Sequence, residues 1–335
     1  MKILNVLYQS NDNYAAITGI SMISLMENNK NIDEINFYLL DDNIASENIV
    51  KLEESVKKYG RKLIIIDTDL IIKRLKDELN VSPHRGTYTT YFKLVAVNLL
   101  QIPTDRVLQL DGDTIITGSL MPILDFDFEE NIMAATYDCI ANSYRKLIDI
   151  PLTDKYYNCG VILFNQPLWI SECCEQKIIH HLKNVRNRYY IVDQDILNVL
   201  FRHKIKYLDI TYNFNSGFYI YGVKNSFKLY GLSPEYYDTQ EKVESVYPAP
   251  IIHHCMEAHG RPWEADNGHP QNELFDNYLR ISPWHDYVKR KVGRPLIFKI
   301  QRKLYKLLPF VIYSEIHSKM LSLYLRKVNR DVQKN

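Results

Sequence analysis

The first 67 residues alternate short apolar runs with helical patterns: ILNVLY, a helix around Ile17 to Glu27, INFYLLD, a helix from Ser46 to Tyr59, and LIIID. This βαβαβ rhythm predicts an α/β protein with a mainly parallel, doubly wound sheet, because a strand–helix–strand unit returns the chain in the same direction. Such sheets take ligands in the crevice beyond the carboxyl ends of their strands. The loop QSNDNYAAI occupies that place after the first strand. It has neither a dinucleotide fingerprint nor a P-loop, so a nucleotide there would be gripped by side chains and metal.

The stretch LQLDGDTIITGSL carries Asp111 and Asp113 one residue apart after the apolar Val107, Leu108 and Leu110. A short buried strand would deliver both carboxylates to the sheet edge. Hard divalent cations sit readily between carboxylates and substrate phosphates. Asp-Gly-Asp is also ordinary turn chemistry, with Gly supplying positive φ, so the motif alone does not decide.

Composition excludes disorder: 335 residues with 46% hydrophobic content support a substantial core, as one large domain or two smaller ones. Cys139, Cys159, Cys173, Cys174 and Cys255 form an odd set without paired ligand spacing, which reads as reduced packing residues of a cytosolic protein. No window approaches the roughly 20 apolar residues of a membrane span, and no signal peptide is evident. The expected location is cytoplasmic.

Charge is unevenly placed. From Trp284 to Asn335 there are 13 Lys or Arg against three acids, a net +10, so the first 283 residues carry −9 of an overall +1. Within this tail, cations alternate with Ile, Leu, Phe and Tyr at spacings that set them on opposite faces of helices interrupted at Pro309. Residues 284–335 are therefore expected to form a basic amphipathic segment lying peripherally on an anionic membrane surface. The alternative is a helical hairpin packed on its own domain. No nucleic-acid-binding motif accompanies the tail, and nucleic acid is not an expected partner.

Three further features follow the aspartates. KYYNCGVILFN sets Asn158 and Gly160 before an apolar strand; YYIVDQDILNVLF sets Asp193, Gln194 and Asp195 at a helix start; APIIHHCMEAHGRPWEA sets His253 and His254 after a strand, with Arg261 beyond. Singly, Asn makes turns, Asp caps helices and His packs. In this order, over roughly residues 3 to 263, they resemble the family 8 retaining glycosyltransferases, the group of bacterial lipopolysaccharide galactosyl- and glucosyltransferases and, more distantly, glycogenin. The resemblance implies a GT-A nucleotide-diphospho-sugar transferase fold with a mixed, mainly parallel sheet over residues 1–283, followed by the helical tail.

It also implies roles. Asn11, Asp12, Asn13 and Tyr14 would surround the uridine, with Asn11 standing where an acid is common. Lys93 in TTYFKL replaces an arginine that faces the donor, and would support phosphate without the bidentate fork. Asp111, Asp113 and His253 would hold Mn2+ or Mg2+, with His254 as the fallback ligand. Met256 stands where glycine is common, and Arg261 would replace a lysine on the diphosphate. Asp138, Asn158, Gly160 and Asp193 would hold the sugar.

Gln194 would lie beside the anomeric carbon, and Asp195 is the carboxylate available for a covalent alternative. The expected reaction moves galactose or glucose from a UDP-sugar to a glycan or glycolipid, such as lipopolysaccharide or capsular polysaccharide, with retention and by same-face attack. A nucleotide-sugar hydrolase and a non-catalytic membrane-associated scaffold are the alternatives.

Overall fold

The computed structural model describes residues 1–84, 86–185, 189–255, 260–294 and 296–334. Met256 lies outside them. The βαβαβ start is present as expected: β1 (Ile3–Asn11), α1 (Ala15–Asn28), β2 (Glu34–Asp42), α2 (Ser46–Lys58) and β3 (Lys62–Asp67). These strands join β4 (Arg106–Leu110), β6 (Met133–Tyr137), β7 (Tyr157–Asn165) and β8 (Ile205–Tyr207) in one sheet of order β3-β2-β1-β4-β7-β6-β8. All its pairings are parallel except those of β7, which runs antiparallel to both neighbours. The sheet is thus mixed and mainly parallel.

Side chains alternate between two cores, as the strand period of two requires. Leu7, Leu40 and Val107 face one cluster, which holds Phe92, Trp169 and Ile178; Val6, Tyr8, Leu39 and Leu108 face the other, with α1. Both faces are covered, so the strands read as continuous apolar runs rather than alternating ones. Helix α1 is buried from Ala15 to Met26 because β1, α2, a second sheet and Trp284 pack around it. That sheet consists of β5 (Thr114–Ile116), β10 (Ile252–His254) and β9 (Phe214–Asn215) in the order β5-β10-β9. Hydroxyls stitch the layers: Ser21 Oγ meets both Tyr8 Oη at 2.8 Å and Thr114 Oγ1 at 3.0 Å.

Strand order reverses between β2-β1 and β1-β4, where parallel neighbours lead to opposite sides of the sheet. The crevice at such a reversal is where open α/β sheets bind ligands. Here it receives the loop after β1 and the Asp-Gly-Asp turn after β4.

Residues just past 283 pack on the body. Trp284 is 4% exposed and lies so tightly on α1 that a Cβ on Gly19 would fall 2.3 Å from its ring. Its Nε1 donates to Asn48 Oδ1 at 2.8 Å, and Glu264 bridges to Arg290 as parallel strand backbone. The two tail helices begin later, at Leu296–Leu307 and Phe310–Lys334, and they break at Pro309, which cannot donate to the preceding turn. The longer helix packs Tyr313 and Leu325 onto the body. Tyr305 Oη ties the shorter one to Ile220 O at 2.7 Å. Exposed on the hairpin are Leu296, Phe298, Ile300, Leu307, Val311, Ile312 and Leu323. No helix among the described residues is long and apolar enough to cross a membrane.

Candidate active site

Strand β4 carries the chain to Asp111, whose N–H donates to Gly160 O at 2.8 Å and whose carbonyl accepts from Thr114 N and Oγ1. Gly112 between the aspartates does not adopt positive φ. Its missing side chain serves space instead, because a Cβ there would meet Thr18 Oγ1 of α1 at 2.4 Å.

Asp111, Asp113 and His254 bring their ligand atoms within 4.8 Å of one another. Along β10 successive side chains point to opposite faces, and the register places His254, not the expected His253, on the aspartates. His254 Nε2 lies 3.4 Å from Asp113 Oδ1. His253 instead places Nε2 3.1 Å from Thr117 Oγ1 and stacks on Tyr219, where burial holds it down to about 4.

His254 Nδ1 lies 3.1 Å from Asn213 Oδ1. If that ring nitrogen carries the proton, Nε2 presents a lone pair toward the carboxylates, the orientation metal-bound histidines take. Two carboxylates and one imidazole suit Mn2+ or Mg2+ chemically, so these residues fit a divalent cation. A Cβ on Gly160 would fall 2.4 Å from His254 Cε1. This glycine therefore makes room for the histidine.

One oxygen of each aspartate is held by a protein cation. Lys93 Nζ donates to Asp111 Oδ1 at 2.7 Å, to Cys159 O at 2.8 Å and pairs with Asp193 Oδ2 at 2.9 Å. Its charge is met by two carboxylates and a carbonyl, and it is 1% exposed, so it does not present charge to a phosphate as expected. Arg261 Nη1 donates to Asp113 Oδ2 and, at 2.9 Å, to Cys255 O. Burial disfavours the Asp113 anion, but His254 and Arg261 outweigh it and hold its carboxyl below the usual range. For Lys93 the two carboxylates overcome burial and raise the ammonium. Burial would likewise lower His254, and Asp113 reverses the sign.

The guanidinium of Arg261 lies 5.3 Å from the Trp263 ring, and Trp263 meets Tyr14 edge-on at 5.9 Å. This aromatic pair links the carboxylates to the loop after β1. There Asn11 Oδ1 accepts from Tyr14 N, and Asp12 Oδ1 accepts from Ala45 N and Asn48 Nδ2, closing the N-terminus of α2. One Asp12 oxygen is thus spent on the fold. Asp12, Asn13 and Tyr14 are exposed at the crevice.

On the other side, Gln194 Nε2 donates to Asp138 Oδ2 at 2.8 Å while its Oε1 accepts from Cys159 N at 3.0 Å. Asn158 Oδ1 accepts from Gly160 N and Asn213 Nδ2. Asp195 does not join this group: it is fully buried, its oxygens accepting from Tyr144 Oη, Tyr156 Oη and Ile191 N. Burial raises its carboxyl to about 7 against those hydrogen bonds. It anchors the start of the helix Val192–Phe201, and a nucleophile it is not placed to be.

Sequence reasoning missed Asn213, Gln109 and Glu264. Gln109 Nε2 donates to Asp111 Oδ1 at 2.9 Å; Glu264 accepts from Arg261 N at 3.0 Å and from Arg294. Gln109 and Glu264 stand inside the quoted stretches with no role assigned by them, whereas Asn213 lies in none and only the fold brings it to the site.

The glycosyl transferase family 8 model matches residues 5–267. The chain belongs to that family. Among curated proteins it is similar to the lipopolysaccharide 1,3-galactosyltransferase of Salmonella typhimurium, 28% identical over 287 residues, covering 84% of this chain and 79% of that protein. It is also similar to general stress protein A of Bacillus subtilis, 24% identical over 88% of this chain and 98% of that one. Among solved structures, galactosyltransferase LgtC with donor and acceptor sugar analogues superposes with a TM-score of 0.69 at 24% identity, over 85% of this chain and 100% of that one. The family 8 chain therefore has the GT-A fold, and a divalent cation can be held by its acidic residues and His254.

Proposed function

We propose that this family 8 glycosyltransferase moves galactose or glucose from a UDP-sugar to a glycan or glycolipid acceptor with retention. The observation that carries the reading is the convergence, at the sheet's reversal point, of a cation-fitting triad with two buried carboxylate clusters, Lys93–Asp193 and Asp138–Gln194. A triad beside carboxylates that accept sugar hydroxyls suits a donor with both a diphosphate and a sugar. Asn11 to Tyr14 would line the base and ribose, with Trp263 behind Tyr14.

Asp111, Asp113 and His254 would hold Mn2+ or Mg2+, which when bound stabilises the charge of the departing diphosphate. Asp138, Asn158 and Asp193 would read sugar hydroxyls. Oε1 of Gln194 keeps a second lone pair beyond its bond from Cys159 N, and that pair would face the positive charge developing on the sugar ring. The burial of Asp195 supports same-face attack, in which the departing phosphate oxygen takes the acceptor proton, over a covalent route through that carboxylate.

The relatives' names support a lipopolysaccharide or related surface glycan as acceptor. Apolar side chains exposed on a cationic hairpin support its peripheral attachment to the inner membrane from the cytoplasmic side. Calorimetric titration with UDP-galactose and UDP-glucose, each with Mn2+ and with chelator, tests the reading. Cation-dependent binding of one sugar nucleotide is expected; binding of neither rejects the donor class. Donor cleavage that persists without acceptor, and is not diverted by it, would favour the hydrolase.

A further inference from the structure

We propose that Lys93 couples cation binding at Asp111 to the reading of the donor sugar by Asp193; this rests on the donor reading above. An ammonium has three protons and no more. Lys93 donates to Asp111 Oδ1 at 2.7 Å and to Cys159 O at 2.8 Å and forms an ion pair with Asp193 Oδ2 at 2.9 Å, in a place 1% exposed. The three acceptors come from the end of β4, the start of the helix Val192–Phe201 and β7. One buried charge therefore ties three separate elements at one point.

The Cys159 peptide extends the tie. Its carbonyl holds Lys93 and its N–H holds Gln194 Oε1, whose amide in turn holds Asp138. Whatever fixes the Asp111 carboxylate fixes Lys93, and through Lys93 both carboxylates on the sugar side. A cation on Asp111 pins one end of this chain. Asp193 then offers its remaining oxygen in a set orientation, which is what hydrogen-bond discrimination between hydroxyls requires. A protein cation spent on internal ties makes lysine adequate here, since three acceptors around a point charge need no planar fork.

The test compares UDP with UDP-galactose and UDP-glucose by calorimetry, with Mn2+ and with chelator, in the wild type and in Lys93→Met. In the wild type Mn2+ should raise the preference for one UDP-hexose over UDP about tenfold, a usual size for coupled sites. In Lys93→Met the preference should become indifferent to Mn2+, while UDP still binds with Mn2+ through Asp113 and His254. A Lys93→Met protein that keeps the Mn2+-dependent preference overturns the proposal. A wild type without any cation-dependent donor binding instead rejects the donor reading itself.

Because Lys93→Met strands two buried carboxylates, Lys93→Arg and the double variant Lys93→Met/Asp193→Asn are measured beside it, with thermal melts as the folding check. Lys93→Arg should restore part of the coupling. The double variant should lose no more of the preference than Asp193→Asn alone; independent, additive losses would overturn the tie.

Discussion

Asp113 is the residue on which most of the site's charge converges, with His254 on one oxygen and Arg261 on the other. Asp113→Ala removes a ligand and leaves Arg261 facing His254, so Mn2+-dependent donor binding should fall at least about hundredfold by calorimetry, beyond what outer partners of a metal usually cost. Binding as tight as wild type would reject the site. Asp195 yields a different prediction. Its carboxyl is raised from 3.8 to about 7, so between those values the folded chain keeps a proton that the unfolded chain has lost. Stability from this group is present at low pH and falls as pH rises through about 4 to about 7. Asp195→Asn should flatten that part of the pH–stability curve in urea unfolding; an unchanged slope assigns it to other groups.

At the scale of elements, β10 decides which histidine reaches the aspartates, and β7 makes room for it. Gly160→Ala would set a Cβ 2.4 Å from the imidazole. The expected result is a loss of about 1–3 kcal/mol in unfolding free energy together with weaker Mn2+ binding; full Mn2+ affinity would mean the ring has another place. Trp284 fills the surface of α1 at Gly19, so Trp284→Ala should cost about 3–5 kcal/mol as core aromatics do, measured by denaturant unfolding. A cost typical of a surface site would return Trp284 to the tail, where its position in the charge pattern first put it.

For the whole molecule, the separation of charge has a direction: a body carrying −9 and a final stretch carrying +10. The hairpin packs one face through Tyr305, Tyr313 and Leu325 and leaves Phe298 and Leu307 outward. Replacing both outward residues, Phe298→Asp with Leu307→Asp, should lower partitioning into anionic vesicles, and added salt should lower it in the wild type. Partitioning unaffected by either change would confine the hairpin to packing. Glu264 holds the Arg261 backbone and Arg294 just before the hairpin, so the segment leading into the tail is joined to the site by a continuous run of hydrogen bonds.

What was legible in the residues follows from short-range physics. Apolar runs of strand and helix length, each buried on both faces or one, announced the βαβαβ start, and two acids ending a buried strand announced a polar site at its tip. Asp111, Asp113, Asn158, Asp193 and Gln194 stand out at the ends of such elements, whereas Asp138 is named only through the family resemblance. Choosing His254 over His253 needed the register of β10 against β5, since a one-residue shift exchanges faces and nothing in the local pattern forbids it. Likewise Lys93 reads as a phosphate contact until oxygens from three distant segments surround its ammonium, and Asp195 reads as a nucleophile until two tyrosines close over it. Local sequence determined which elements form and where chemistry-bearing side chains emerge. The tertiary structure alone decided their partners, because a hydrogen bond is settled by position to within tenths of an ångström and those positions come from packing across the whole chain.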